Sequence, residues 1–187
     1  MDAVRPIRAS LHTDPVGMVA IARHYIRDLV YGANDGIITT FAVVAGVTGG
    51  GLSPRAMLVI GAANLFADGL SMGVGNYLGI RSNESALAAQ DRPEEEAHPA
   101  RHGLATLLAF VVAGAVPLAP FALGAPGSRL AWSVVLTFVT LFTVGALRAL
   151  VTVDRWWVAG LEMFGLGAAV ALLAYGSGAL VAHIVGG

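Results

Sequence analysis

Five stretches of this chain are apolar for about twenty residues each, and no other feature restricts its fold so tightly. An α-helix rises 1.5 Å per residue, so roughly 20 apolar residues cross the ~30 Å hydrocarbon core of a bilayer. The stretches lie at about 29–50, 56–79, 103–124, 130–151 and 157–184. Only 12% of the 187 residues are charged and 56% are hydrophobic, whereas a soluble domain is nearer 25% charged. So few charges cannot cover a water-facing surface, and lipid must solvate much of the chain. The 24 glycines fall largely inside the apolar runs, where small residues let helix backbones approach. The fold class expected is therefore all-α: a polytopic membrane protein with five transmembrane helices.

The breaks between spans carry turn chemistry: Gly49-Gly50-Gly51 with Pro54, Pro126-Gly127, and Asp154-Arg155. Only the second break is long, a polar cytoplasmic loop at 81–102. Residues 1–28 form a cytoplasmic N-terminal segment and residues 29–187 the transmembrane domain. Within the segment, Thr13-Asp14-Pro15 is a helix-start signal. Val16, Val19, Ala20, Ile26, Leu29 and Val30 then recur at helical spacing, with Arg23, His24 and Arg27 on another face. This predicts an amphipathic helix at the membrane surface leading into the first span.

Arginine placement orients the chain. With a cytoplasmic N-terminus, the inner segments hold Arg5, Arg8, Arg23, Arg27, Arg81, Arg92, Arg101, Arg148 and Arg155, and the outer ones Arg55 and Arg129. Nine against two obeys the positive-inside rule, and five spans then put the C-terminus outside. No cleavable signal is seen, and the compact size points to a prokaryotic inner membrane. The absence of Cys removes thiolate metal sites, disulfides and cysteine nucleophiles. The net charge of −1 is uninformative about partners, and no nucleic-acid partner is expected.

Ionisable groups within apolar spans are costly and mark function by default. Asp35 sits early in the first span, Asp68 midway along the second and Glu162 early in the fifth. On the orientation above, all three lie in the inner half of the membrane. Asn64, Asp68, Met72 and Asn76 are spaced four apart and form one stripe along a helix. A carboxylate, a thioether and amides together suit iron(II) or manganese(II) better than magnesium or calcium. Asp35, Asn64, Asp68, Met72 and Glu162 are the candidate metal-handling residues. The metal is cargo and no resident cofactor is expected. Carboxylates must be deprotonated to bind metal, so exchange with protons follows as a mechanism.

Each residue also has a structural reading. Asp35 can cap a helix, Asp68 can hydrogen-bond between helices, and Glu162 can pair with Arg148 or Arg155. The loop residues Glu94, Glu95, Glu96, His98 and His102 read as a solvated acidic turn or a loose metal-capturing mouth. His12, His24 and His183 read as interfacial. A non-transporting membrane assembly, packed through Gly69-x-x-x-Gly73 and Gly75-x-x-x-Gly79, remains an alternative. An enzyme is not expected, because no nucleophile–base or paired-acid arrangement sits at matching depth.

Two segments carry a resemblance: Asn34-Asp35-Gly36-Ile37-Ile38-Thr39-Thr40-Phe41-Ala42-Val43-Val44-Ala45-Gly46 and Ala67-Asp68-Gly69-Leu70-Ser71-Met72-Gly73-Val74-Gly75-Asn76-Tyr77-Leu78. With Pro117-Leu118-Ala119-Pro120 in the third span, the chain resembles the vacuolar iron transporter family, nodulin-like members included. The likeness covers all five spans, but specific motifs lie in the first two. It implies a five-helix protomer, a homodimer, a pathway lined by the first two helices of both chains, and proton-driven export of iron(II) or manganese(II) from the cytoplasm. Asp35 and Met72 match family positions linked to transport. Asn64 stands where the family commonly has Glu, and Asp68 where a small residue is usual. The Glu-rich cytoplasmic domain of plant and fungal-type members is replaced by the short loop 81–102.

Overall fold

The computed structural model describes residues 9–51 and 53–186; Arg5 and Arg8, counted in the orientation argument, lie outside them. The helices are α1 (Met18–Gly49), α2 (Pro54–Ala89), α3 (Pro99–Gly114), a short α4 (Ala119–Ala122), α5 (Arg129–Arg148) and α6 (Trp156–Gly186). Five helical segments are long and apolar enough to cross a membrane, with α3 and α4 together forming the third. The described residues contain no strand, only an isolated parallel bridge between Ser10 and Glu94.

Three details differ from the sequence expectation. The amphipathic stretch is not a separate helix but the first turns of α1, which runs unbroken for 32 residues. It starts after Gly17, whose φ of 91° stops the helix from extending back to Thr13-Asp14-Pro15. Asp14 does not cap; it accepts from Arg101 at 2.9 Å. In addition, α2 continues through Ala89, so the connection to α3 is only residues 90–98. Asp91, with φ of 53°, turns the chain there, and Arg92 N–H closes the helix end on the Leu87 carbonyl at 3.0 Å. Finally, the third span is broken: α3 stops at Gly114 and a single 3₁₀ turn, Val116–Leu118, precedes α4. Pro117 and Pro120 remove donors from the ladder. Ser133 Oγ of α5 donates to the Pro117 carbonyl at 2.8 Å, which satisfies a backbone group freed by the break.

The helices cross closely because the crossing points are glycine. Gly32 and Gly36 of α1 lie against the α3 backbone at Thr106 and Phe110, leaving no room for a Cβ. A Cβ at Gly73 of α2 would stand 2.8 Å from the Gly103 carbonyl of α3, and one at Gly103 would stand 2.5 Å from the Gly73 carbonyl. Gly145 of α5 meets the Ala159 backbone of α6 in the same way. Phe110, fully buried, fills the space between α1 and α2 with Val44, Met57, Leu65, Leu118 and Phe121. A second cluster, Ala33, Ile37, Ala113, Leu141 and Met163, joins α1 and α3 to α5 and α6. Helix α2 packs mainly on α1, α3 and α4, so it stands at one side of the bundle. Gly69 and Gly73 are spent on contact with α3, while Gly75 and Gly79 have nothing within 4 Å.

Gly36→Ala is expected to lower stability by about 1–3 kcal/mol, because the α1–α3 backbones must separate. Gly75→Ala, in open space, should be near neutral. Thermal unfolding of the two purified variants beside the parent checks both.

Candidate functional site

Counting inward from the cytoplasmic end of the orientation above, α1 and α2 carry polar groups turn by turn. On α2 these are Asn76, Met72, Asp68 and Asn64, each one helical turn, about 6 Å, deeper than the last. On α1 they are His24, Asp28 and, about 10 Å further in, Asp35. Asn64 Nδ2 donates to Asp68 Oδ2 at 2.8 Å, so the stripe is internally bonded. Asp35 lies within the electrostatic reach of Asp68, although the two are on different helices. The Asp35 carboxylate makes no hydrogen bond among the described residues; its backbone carbonyl accepts from Thr39 Oγ1 at 2.8 Å. Met72 lies against the Phe110 core on one side and lines an open cavity on the other.

That cavity, of about 1060 Å³, separates the inner ends of α1 and α2. Asp28, Met72, Asn76, Glu96 and His102 are among its walls, with Gly75 and Gly79 supplying bare backbone. Glu162 is not part of it. Its carboxylate is held by Arg148 of α5 at 2.6 Å, the pairing that the structural reading of that residue expects. Of the five sequence candidates, the structure therefore groups Asp35, Asn64, Asp68 and Met72 and sets Glu162 apart.

The mouth of the cavity holds one acid that the sequence reading passed over, Asp28, beside the loop residues Glu96 and His102. Asp28 is 2% exposed. Its Oδ1 accepts from Asn76 Nδ2 of α2 at 2.8 Å, and its Oδ2 lies 2.5 Å from His102 Nδ1 of α3. Asn76 also donates to Thr106 Oγ1 at 2.8 Å, and Thr106 donates to the His102 carbonyl at 3.0 Å. One carboxylate thus joins three helices. Beyond it stands Glu96, with His102 Nε2 at 3.0 Å, His12 Nδ1 at 3.3 Å and His24 Nε2 at 3.4 Å. Four of the five histidines (His12, His24, His98 and His102) come together here through ring contacts of 4.9–5.8 Å. His12 and His24, read from the sequence as interfacial, both face the partly buried Glu96 carboxylate.

Loop and N-terminal segment are pinned so that this cluster forms. Leu11 N–H donates to the Glu94 carbonyl at 2.8 Å, and Glu94 N–H to the Ala9 carbonyl at 2.9 Å. The backbone N–H groups of Glu95 and Glu96 donate to Glu84 of α2 at 3.1 and 2.9 Å. Burial pushes the Glu96 carboxyl upward, but the His98 N–H at 2.7 Å and the His102 and His12 side chains outweigh it. The net effect holds the acid below its ordinary value. The local signal for this cluster was the His24–Asp28 spacing, one turn on a helix, which puts imidazole and carboxylate on one face.

The profile of the VIT family matches residues 26–98 and 87–179. The vacuolar iron transporter of Toxoplasma gondii is 41% identical over 71 residues, which are 38% of this chain and 24% of that protein. Vacuolar iron transporter 1 of Arabidopsis thaliana is 36% identical over 75 residues, 40% of this chain and 30% of its own length. Vacuolar iron transporter homolog 5 of Oryza sativa subsp. japonica is 33% identical over 109 residues, 54% of this chain and 52% of that protein. The chain thus spans between a quarter and a half of the length of these curated relatives.

Two outcomes follow from the geometry. Asp28→Ala and His102→Ala are each expected to cost about 3–5 kcal/mol, since each strands a buried polar partner. Combined, they should cost much less than the sum, as a double-mutant cycle on unfolding free energies will read. The depressed Glu96 acid contributes stability that is complete above its ordinary value of 4.5 and is lost as pH falls through the lower folded value. Glu96→Gln should flatten the stability curve of chelator-treated protein across that acidic window, as thermal unfolding between about pH 3 and 6 will test.

Proposed function

The chain belongs to the VIT family, and from that premise we propose that it is a transporter of a divalent transition-metal cation, iron(II) or manganese(II). It moves the ion out of the cytoplasm in exchange for protons. The observation that carries this reading is the continuity of polar groups along two apolar helices. The ~1060 Å³ cavity leads from the Glu96 mouth past Asp28 and Asn76 to Met72, and the α2 stripe continues to Asp68 and Asn64. Oxygen and thioether donors suit the borderline cations of this class. Acids outnumber the one arginine, Arg27, along the cavity walls, which disfavours an anionic substrate.

In this proposal Asp35 and Asp68 are the charged steps. Two carboxylates that repel one another share either protons or a cation readily, so metal binding displaces protons and proton return releases metal. Met72 adds a softer ligand between the mouth and the acids. Asn64 orients Asp68 through its 2.8 Å hydrogen bond.

The protein acts as a homodimer in this reading. Helix α2 stands at the side of the bundle, and the small residues Ala67, Ser71 and Gly75 are exposed beside half-buried Asp68. A polar stripe that faces hydrocarbon is costly, and a second α2 across a two-fold axis would cover it. The membrane is a prokaryotic inner membrane, with the N-terminus cytoplasmic and the C-terminus outside.

A non-transporting assembly is the competing reading, and the Asn64–Asp68 bond favours it, because that bond satisfies the acid without an ion. Flux into proteoliposomes separates the two. Iron(II) and manganese(II) uptake with counter-moving protons is expected, falling by about tenfold or more in Asp35→Asn and Asp68→Asn. Met72→Leu should impair iron(II) more than manganese(II). Single cysteines introduced at Glu95 and Gly127 of this cysteine-free chain report the sidedness of each vesicle preparation. Absence of flux from folded parent protein, or full flux in both acid variants, would leave the acids structural.

A further inference from the structure

We propose that His12, His24 and Glu96 form a second metal site at the cytoplasmic mouth, selective for divalent transition metals of the iron(II) class and distinct from the intramembrane acids. The three residues come from the N-terminal segment, α1 and the loop before α3. They can each place one ligand atom so that all lie within 4.8 Å of one another. A metal about 2.0–2.2 Å from each donor draws such atoms inward by only about an ångström or less.

The donor set is informative. Two imidazoles and one carboxylate, with no thiolate, suit iron(II) and its neighbours and disfavour magnesium and calcium, which prefer all-oxygen shells. The imidazoles already face the carboxylate: His12 Nδ1 and His24 Nε2 lie 3.3 and 3.4 Å from Glu96, while His12 Nε2 lies 3.6 Å from Asp14. The His12 and His102 side chains are 7% and 8% exposed, and among the described residues neither Nε2 has a well-aligned hydrogen bond. His102 Nε2 stands 3.0 Å from Glu96 Oε2 without the alignment of a hydrogen bond. Buried polar atoms of this kind are uncommon in a finished interior. The Asp28 contact at Nδ1 fixes the His102 ring, and its Nε2, 3.0 Å from Glu96 Oε2, holds that carboxylate from beside the proposed ligands.

A neighbouring triad, His12, Asp14 and His98, shares His12 but is the weaker candidate. Asp14 is already engaged by Arg101 at 2.9 Å and is largely exposed. Glu96, in contrast, is 14% exposed and faced by imidazoles on both oxygens. The backbone bridge between residues 9–11 and Glu94 holds His12 over it. Binding at this site does not depend on transport, because it is read at equilibrium.

The test uses the full chain in nanodiscs with Asp35→Asn and Asp68→Asn already in place, so the intramembrane acids contribute nothing. Cobalt(II) is titrated and followed by its visible absorption, then displaced anaerobically with iron(II). One equivalent with an imidazole-ligated spectrum is expected, insensitive to a large excess of magnesium(II). Adding His24→Ala or Glu96→Gln should weaken it about 10- to 100-fold. His12→Ala, outside every helix, should do the same without disturbing thermal unfolding. No cobalt(II) binding in the double acid variant, equal competition by magnesium(II), or binding unchanged by all three substitutions would overturn the proposal. Absence of flux from the parent chain, with this binding retained, would sink the transport reading and leave the site standing.

Discussion

Asp28 is a carboxylate taken almost wholly out of water, on a helix that then enters hydrocarbon. Such a group survives only if each oxygen is met, and here Asn76 of α2 and His102 of α3 meet them. The cost of desolvation makes this interaction demanding: it stabilises little in net terms but penalises any arrangement in which a partner is missing. The inner ends of α1, α2 and α3 are therefore held at one relative height. The cavity between α1 and α2 inherits its width from that spacing, and Met72 and Asp68 inherit their depth.

Apolar packing does the complementary work further in. Gly32, Gly36, Gly73 and Gly103 let α3 lie directly on the backbones of α1 and α2, and Phe110 fills what remains. Since lipid tails are as apolar as the side chains, close backbone contact rather than water exclusion drives this association. The two devices divide the chain by depth, with polar satisfaction at the mouth and small-residue crossings within the membrane. Where both leave off, on the outer face of α2, the stripe of Asn64, Asp68 and Met72 is only half covered.

Much of this was legible in the sequence, for physical reasons that also explain the gaps. Spans are announced by length and apolarity alone, so all five were readable. The break in the third was not placed, although Pro117 and Pro120 lay in plain view, because the rest of that span remains apolar enough to mask a stop. Asp35 and Asp68 stood out because an acid inside an apolar run has no cheap explanation. Asp28 did not, since it directly follows Arg27 at the edge of a run and resembles an ordinary interfacial charge. The histidine cluster was the least visible part. His12, His24, Glu96 and His102 are brought together by a backbone bridge and a loop, which leave no periodic trace. Glu162 illustrates the opposite case: of the two arginines the sequence offered it as partners, Arg148, fourteen positions earlier on another helix, is the one that holds it.

The long reach of the Asp28 contacts has a consequence for how the chain is made. Asn76 lies 48 positions after Asp28, and His102 lies 74. During synthesis α1 enters the bilayer with an acid met only by the long 3.5 Å contact from Arg27, α2 adds a donor, and only the arrival of α3 completes the set. The first three helices thus mature as a unit in which each later segment is recruited by an unmet demand of an earlier one. A ribosome-bound chain halted before residue 102 would carry that demand openly, as a local, chemically readable sign of unfinished assembly.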